Sequence, residues 1–275
     1  MMDYSSFLRT RLSGLVPEDA KTPPGYHLVG HVALLRIDEQ WMPFAEEIGR
    51  ATLDYSKRIR SVAVREGPTA GVFRVPQYRV VAGSRSTETT HTEFGVHYRL
   101  DPTRITFSPG NLNERRHMAR LVQKSERVVD MFACVGQFSL PIARIAGAEV
   151  TSIEINPEAY SYLLEGIRLN GLQRRVHPIL GDCRDEHPVG EADRVLLGYL
   201  HKTEDYLPHA LSTLRETGGW IHLHRAIHPS ELSSFKSEVI RRCEDHGFTC
   251  TLQVRHIKTY SMGVVHIVLD IAVSR

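Results

Sequence analysis

The chain has 275 residues, 41% of them hydrophobic, enough for one large domain and one small one, each burying a core. No apolar run is long enough for a bilayer span, and MMDYSSFLRTRLSG lacks the apolar centre of a signal peptide, so a soluble, cytoplasmic protein without a membrane partner is expected. A net charge of +2 does not by itself demand a nucleic-acid partner, and Cys134, Cys183, Cys243 and Cys250, with no CxxC pair, argue against a zinc ribbon and a disulfide framework.

In chain order, a helical stretch, Tyr4–Leu15, leads into the loop KTPPG. A strand-like HVALLRI and a helix over Pro43–Tyr55 follow, then three short alternating segments, SVAVRE, VFRVPQYRVVAG and ETTHTEFGVHYRL. This texture predicts a small α+β domain over residues 1–100. Residues 101–124 connect it to a second region, 125–275, where strands RVVDMF, EVTSIEI, RVHPILGD, ADRVLLGYL and GGWIHLHRAI alternate with helices Pro157–Asn170, Tyr206–Leu214 and Ser230–Asp245. Such alternation predicts a parallel sheet covered on both faces. The last two strands, CTLQVRHIKTYS and VVHIVLDIAV, are separated only by Met-Gly and must pair antiparallel. The expected fold class is α/β: a Rossmann-like sheet of the class I methyltransferase type, with parallel strands and a C-terminal antiparallel hairpin, preceded by a small α+β domain.

In such a sheet, ligands bind beyond the carboxyl ends of the strands, where the strand order reverses. DMFACVGQFS lies there: Ala133 and Gly136 let a ligand approach the backbone, and a helix N-terminus follows. Glu154 comes 24 residues after Asp130, a spacing suited to holding both ribose hydroxyls. Asp182 follows 28 residues later, placed to accept from an adenine amino group, with the Cys183 backbone N–H beside it. Three acids at successive strand ends point to an adenosyl cofactor. S-adenosylmethionine fits better than NAD, because no GxGxxG is present and the terminal hairpin is foreign to dehydrogenases.

The stretches ITFSPGNLNERRHMARL, VVDMFACVGQFSLPIA, IEINPEAY and LGDCR together resemble the tRNA guanine-N1 methyltransferase and wybutosine-synthesis superfamily, from about His31 to the end. In the guanine-methylating branch of that family the fourth strand ends in an Asn-Leu-Pro type motif. Here Gly198-Tyr199 stands in its place, and FSPGN with ER, LLGYL and GGWIHLH resemble the wybutosine-synthesis branch. The resemblance implies transfer of the 3-amino-3-carboxypropyl group of S-adenosylmethionine to C7 of 4-demethylwyosine at position 37 of tRNA(Phe), releasing methylthioadenosine. The partner implied is the tRNA(Phe) anticodon loop, with no obligate protein partner and no metal. The alternatives are tRNA guanine-37 N1-methylation and a non-catalytic tRNA-binding protein with a vestigial cofactor pocket.

By position, the family's cofactor contacts fall on Ser108, Arg115, Phe132, Glu154, Ile155, Asp182 and Cys183. Arg115 could hold the methionine carboxylate bidentately, or make a phosphate contact or a surface ion pair. Asn111 is expected to cap the helix after it. Phe107 and Phe132 could pack on adenine or in the core, and Tyr199 could stack on a base or pack inside. His222 and His224 share one face of a strand but lack a third metal ligand. RNA contacts are sought at Arg115, Arg116, Arg120, Lys124 and Arg127, read as one helical stretch, and at Lys57, Arg58 and Arg60, supported by a basic set of 28 Arg against six Lys that a GC-rich genome would also explain. His201, Lys202 and Glu204 form a loop near the expected acceptor, and no catalytic base is assigned.

Overall fold

A computed structural model describes residues 2–15 and 22–275, so the first residue of the KTPPG loop lies outside the described residues. The chain forms two compact units, Met1–Pro109 and Gly110–Arg275, with the division falling inside the 101–124 connector.

In the first unit, α1 (Tyr4–Arg11) starts at Asp3, whose side chain accepts from the Ser6 N–H; it stops short of Leu15. Four strands form a sheet in the order β1 (His27–Val29), β2 (Val32–Leu35), β3 (Ser61–Ala70), β4 (Val75–Gly83). β1 escaped sequence reading, being three residues long. β2 and β3 run parallel, which requires a crossover, and α2 (Ala45–Tyr55) supplies it. Leu35, Trp41, Ile48, Val62 and Val64 bury its inner face with Leu8 of α1. The ETTHTEFGVHYRL segment is two strands, β5 (Thr89–Glu93) and β6 (Val96–Leu100). Phe94 (φ 49°) and Gly95 (φ 77°) turn the chain between them, with two left-handed residues matching the twist of a tight hairpin.

In the second unit α3 (Leu112–Leu121) precedes a seven-stranded sheet. Its strands are β7 (Arg127–Asp130), β8 (Glu149–Glu154), β9 (Val176–Leu180), β10 (Arg194–Leu197), β11 (Gly219–Ile227), β12 (Thr249–Ser261) and β13 (Val264–Ser274). They lie in the order β12-β13-β11-β10-β7-β8-β9. The first five are parallel, and β12–β13 is the antiparallel hairpin that closes the sheet through β11. After β7 comes a helical segment, α4 (Ser139–Pro141), extended by a wide turn over Ile142–Ala146. α5 (Pro157–Asn170) matches its predicted bounds because the signals are local: the Asn156 side chain accepts from Glu158, Pro157 opens the first turn, and Gly171 closes the helix at φ 65°. α6 (Leu207–Thr213) and α7 (Leu232–Asp245) each follow a short 3-10 turn. Val195, Leu197, Ile221, Leu223, Val239 and Leu269 form the core beneath them, each such side chain contributing about 1.5–3 kcal/mol on burial. The strand order reverses between β7 and β10, and that reversal sets the site.

Candidate cofactor site at the strand ends

β7 ends in Asp130, which is fully buried. One carboxylate oxygen accepts from the Ser139 hydroxyl at 2.7 Å and the other from the Phe132 N–H at 3.3 Å, so the acid ties both ends of the loop to the strand. Burial raises its pKa to about 6 against those bonds. Within the loop Gly136 has φ 82°, and a Cβ there would lie 2.6 Å from Leu140 Cγ and 2.9 Å from Leu163 Cδ1. Only glycine lets the chain turn this tightly over α5.

Glu154, ending β8, is 9% exposed and accepts from the Cys134 N–H on one oxygen and the Asn156 N–H on the other, each at 2.7 Å. Burial raises its pKa, opposed by those two N–H groups. A carboxylate has about four lone-pair sites, so two bonds leave acceptor capacity for a ribose diol. Ile155 follows at the rim.

Beyond β9, Asp182 departs from the sequence expectation in one respect: both its oxygens are already engaged by Arg184, at 3.0 Å to Nε and 2.5 Å to Nη2. That pairing holds its carboxyl below the usual range. The Arg184 backbone N–H also donates to Oδ1 at 2.9 Å, so an adenine amino group would have to displace part of this pairing. Cys183 is 4% exposed and packs into the core, with its thiol pushed up to about 12 by burial. Any contact it makes with a base therefore runs through its backbone.

Past β10, Tyr199 stacks on Phe132, ring centroids 5.3 Å apart and planes 17° apart. Tyr206 packs edge-on to Phe132 at 4.9 Å, with the Arg184 guanidinium 5.9 Å above the Tyr206 ring. Tyr206 and Arg184 were missed in the sequence; the signal for Arg184 was its place two residues after the acid of LGDCR.

Phe132, Glu154, Ile155, Asp182, Cys183 and Tyr199 thus meet at one edge, on four neighbouring strand ends. Ser108 belongs to the first unit and Arg115 to the second, where Arg115 is 1% exposed on α3 beside Lys258, whose own pKa burial and then this neighbouring charge lower. Arg116 and Arg120 are exposed on the same helix. Phe107 is buried in the first unit against His91 and Tyr98, which settles it as packing. The expected basic helix is shorter than read: α3 stops at Leu121, Lys124 lies beyond it, and Arg127 opens β7 at the far edge of the sheet, 3.9 Å from Glu191. Asn111 makes no side-chain cap bond; its oxygen accepts instead from Lys258 Nζ at 2.7 Å.

His222 and His224 are core residues. His222 Nδ1 donates to Asp270 at 2.6 Å while Nε2 accepts from Arg194 at 2.6 Å, and His224 Nδ1 pairs with His266 Nε2 at 3.1 Å. Burial keeps His222 and His224 neutral, His224 down to about 3. The bonds continue into a chain of buried polar groups. Arg194 is clamped by Glu126, and Arg255 grips Asp270 at 2.5 and 3.0 Å and Glu114 at 2.6 and 2.8 Å. Glu204, in the loop after β10, pairs with Arg225 at 3.2 Å.

An acid with spare acceptor capacity, a glycine that a Cβ would block and an aromatic pair at a strand-order reversal fit an adenosyl cofactor. Comparison with known proteins agrees. Residues 89–254 match the TRM5/TYW2 methyltransferase domain, and residues 8–87 the TYW2 N-terminal domain. The tRNA(Phe) (4-demethylwyosine(37)-C(7)) aminocarboxypropyltransferase of Pyrococcus horikoshii is 35% identical over 97% of this chain and 96% of its own. The tRNA (guanine(37)-N(1))-methyltransferase Trm5b of Pyrococcus abyssi is 33% identical over 94% of this chain and 78% of its own. The crystal structure of P. horikoshii TYW2 in complex with MeSAdo superposes with a TM-score of 0.85 at 32% identity, covering 98% of this chain and 99% of that one.

Proposed function

The chain belongs to the TRM5/TYW2 methyltransferase family, and on that premise we infer that it is an S-adenosylmethionine-dependent aminocarboxypropyltransferase acting on tRNA. The acceptor is C7 of 4-demethylwyosine at position 37 of tRNA(Phe). The observation that carries this reading over guanine methylation is the match of residues 8–87 to the TYW2 N-terminal domain, since the catalytic-domain match is common to both branches. Acting on tRNA(Phe), the enzyme works in the cytoplasm.

Bound at the strand ends, S-adenosylmethionine supplies a sulfonium whose aminocarboxypropyl carbon is open to attack, with methylthioadenosine as the leaving nucleoside. Glu154, held by two backbone N–H groups, turns its remaining lone pairs to the ribose hydroxyls. Asp182 and the Cys183 N–H meet the adenine edge, with Phe132 and Ile155 covering the ring. Arg115 holds the amino-acid tail, its guanidinium pairing with the carboxylate. Any of the three carbons on sulfur is open to displacement, so the outcome is decided by which one these residues align with the nucleophile. Tyr199, pre-stacked on Phe132, offers a face for the incoming tricyclic base. Arg116 and Arg120 face solvent on α3 and meet phosphates, while the small unit positions the anticodon loop.

The test is the by-product. The protein is incubated with S-adenosylmethionine and tRNA(Phe) bearing 4-demethylwyosine, and the released nucleoside is read by mass spectrometry. Methylthioadenosine is expected; S-adenosylhomocysteine would overturn the assignment in favour of methylation.

A further inference from the structure

The first unit holds a cavity of about 450 Å³ between the β1–β2 turn, the loop at residues 57–60 and β5. We propose that this cavity is a seat for a sugar-phosphate segment of the tRNA backbone, gripped by Lys57, Arg58 and Arg60 and lined along β5 by Thr90 and Thr92. The proposal rests on the tRNA reading above and deepens it.

The three cations are presented by a fixed loop. Ile59, 5% exposed, anchors it in the core, while Lys57, Arg58 and Arg60 point to solvent. The backbone is pinned from both sides: the Arg60 N–H donates to His31 O at 2.9 Å, Arg60 O accepts from Ser84 at 2.8 Å, and the Ile59 N–H donates to Ser56 O at 3.0 Å. A pre-ordered loop spends little conformational entropy when a ligand docks.

The charge arrangement points to an anion. Elsewhere in this unit Arg11 is matched by Asp54, Arg50 by Glu47 and Arg79 by Glu66. Among the described residues no carboxylate lies within 4 Å of Lys57, Arg58 or Arg60. Three like charges gathered on one short loop repel one another, and a bound anion relieves that.

The floor and wall are built. Gly30 has φ 56°, and a Cβ there would overlap the Thr89 side chain, 1.9 Å from Oγ1. Its N–H donates to His91 Nδ1 at 3.1 Å, which leaves His91 Nε2 to donate to Glu93 at 3.2 Å. His31 is likewise used at both nitrogens, by Thr89 and the Ser86 carbonyl. The imidazoles are therefore fixed walls, the Thr92 hydroxyl is paired with His97 Nδ1 at 3.0 Å, and the ligand-facing polar groups are the three cations, with β5 lining the cavity at Thr90 and Thr92. Such a set suits phosphate oxygens and ribose hydroxyls. The volume is within the roughly 300–1,000 Å³ of sites that enclose a ligand, and is larger than a lone phosphate needs.

The experiment measures tRNA affinity along a salt series for three proteins: wild type, the triple variant Lys57→Ala/Arg58→Ala/Arg60→Ala, and the charge-keeping Arg58→Lys/Arg60→Lys. Thermal midpoint and heat of S-adenosylmethionine binding report that each is folded. The triple variant is expected to bind at least about tenfold more weakly, with the slope of log affinity against log salt reduced by about two to three, roughly one per lost phosphate contact. The lysine variant is expected to keep the slope. Wild type and triple variant binding alike, with equal slopes, overturns the seat while leaving the tRNA reading intact. Wild type failing to bind tRNA at any salt overturns both.

Discussion

Replacing Arg255 by Met keeps its aliphatic stem and removes its charge. Arg255 makes four hydrogen bonds, at 2.5–3.0 Å, to Asp270 and Glu114, which are 7% and 3% exposed. Breaking a buried pair leaves the partner uncompensated and costs about 3–5 kcal/mol. Here two carboxylates lose one cation, while the Arg255 side chain is one-fifth exposed, so a loss near the lower figure, ~3 kcal/mol, is expected. For a unit of this size each kcal/mol moves Tm by about 2–4 °C, giving a fall of roughly 10 °C. The pH dependence carries the sharper signature. Burial would raise the Asp270 carboxyl, but the bonds from His222 and Arg255 outweigh it and hold it well below the usual range. In the wild type this carboxylate therefore adds stability that is present above the unfolded value of about 3.9 and is lost as pH falls through the lower folded value. In Arg255→Met the same carboxyl is buried without its cation, its folded value rises, and the variant gains stability as pH falls toward 5. The gap in Tm between the proteins, followed by circular dichroism from about pH 8 to pH 5, is expected to narrow. A fall under about 3 °C at neutral pH, or a gap independent of pH, would refute the account of Arg255 as the shared counter-ion.

Gly136→Ala forces a Cβ to within 3 Å of two leucines at a positive φ; a loss of about 1–3 kcal/mol in urea unfolding is expected, with S-adenosylmethionine binding weakened in calorimetry. Asp130, with its pKa raised to about 6, binds its proton more tightly folded than unfolded, so this group contributes stability fully present below about pH 4 and lost as pH rises through 6. Asp130→Asn should remove that component, on the order of 2 kcal/mol, so the variant-minus-wild-type stability difference rises between about pH 4 and pH 7; a flat difference would contradict it.

The strand ends and their acids were legible because each follows a short apolar run and each answers to neighbours close in sequence. α5 was legible to the residue for the same reason. The Phe132–Tyr199 stack could be suspected only as one of two options for each ring, since nothing in a single sequence aligns two strand ends 67 positions apart. The buried polar chain left no trace at all: Glu114 and Arg255 are separated by 141 residues, and Glu126 and Arg194 by 68. The sequence shows His222 and His224 sharing one strand face without a third metal ligand, and their actual partners, Asp270, Arg194 and His266, could not be named from it. The extent of α3 was misjudged because Lys124 and Arg127 continue its charge pattern after the backbone has already left the helix, Val122 standing extended at ψ 138°.

Glu154 serves two masters. The carboxylate proposed to meet a ribose is also the strut between the Cys134 and Asn156 amides, so the architecture requires it whether or not any nucleoside arrives. A descendant of this fold that abandoned the reaction would still keep the acid to hold its loop shut. The pocket's outline is thus more durable than its chemistry, and divergence in activity within such a lineage should begin at the aromatic end of β10, where Tyr199 meets Phe132 ring to ring.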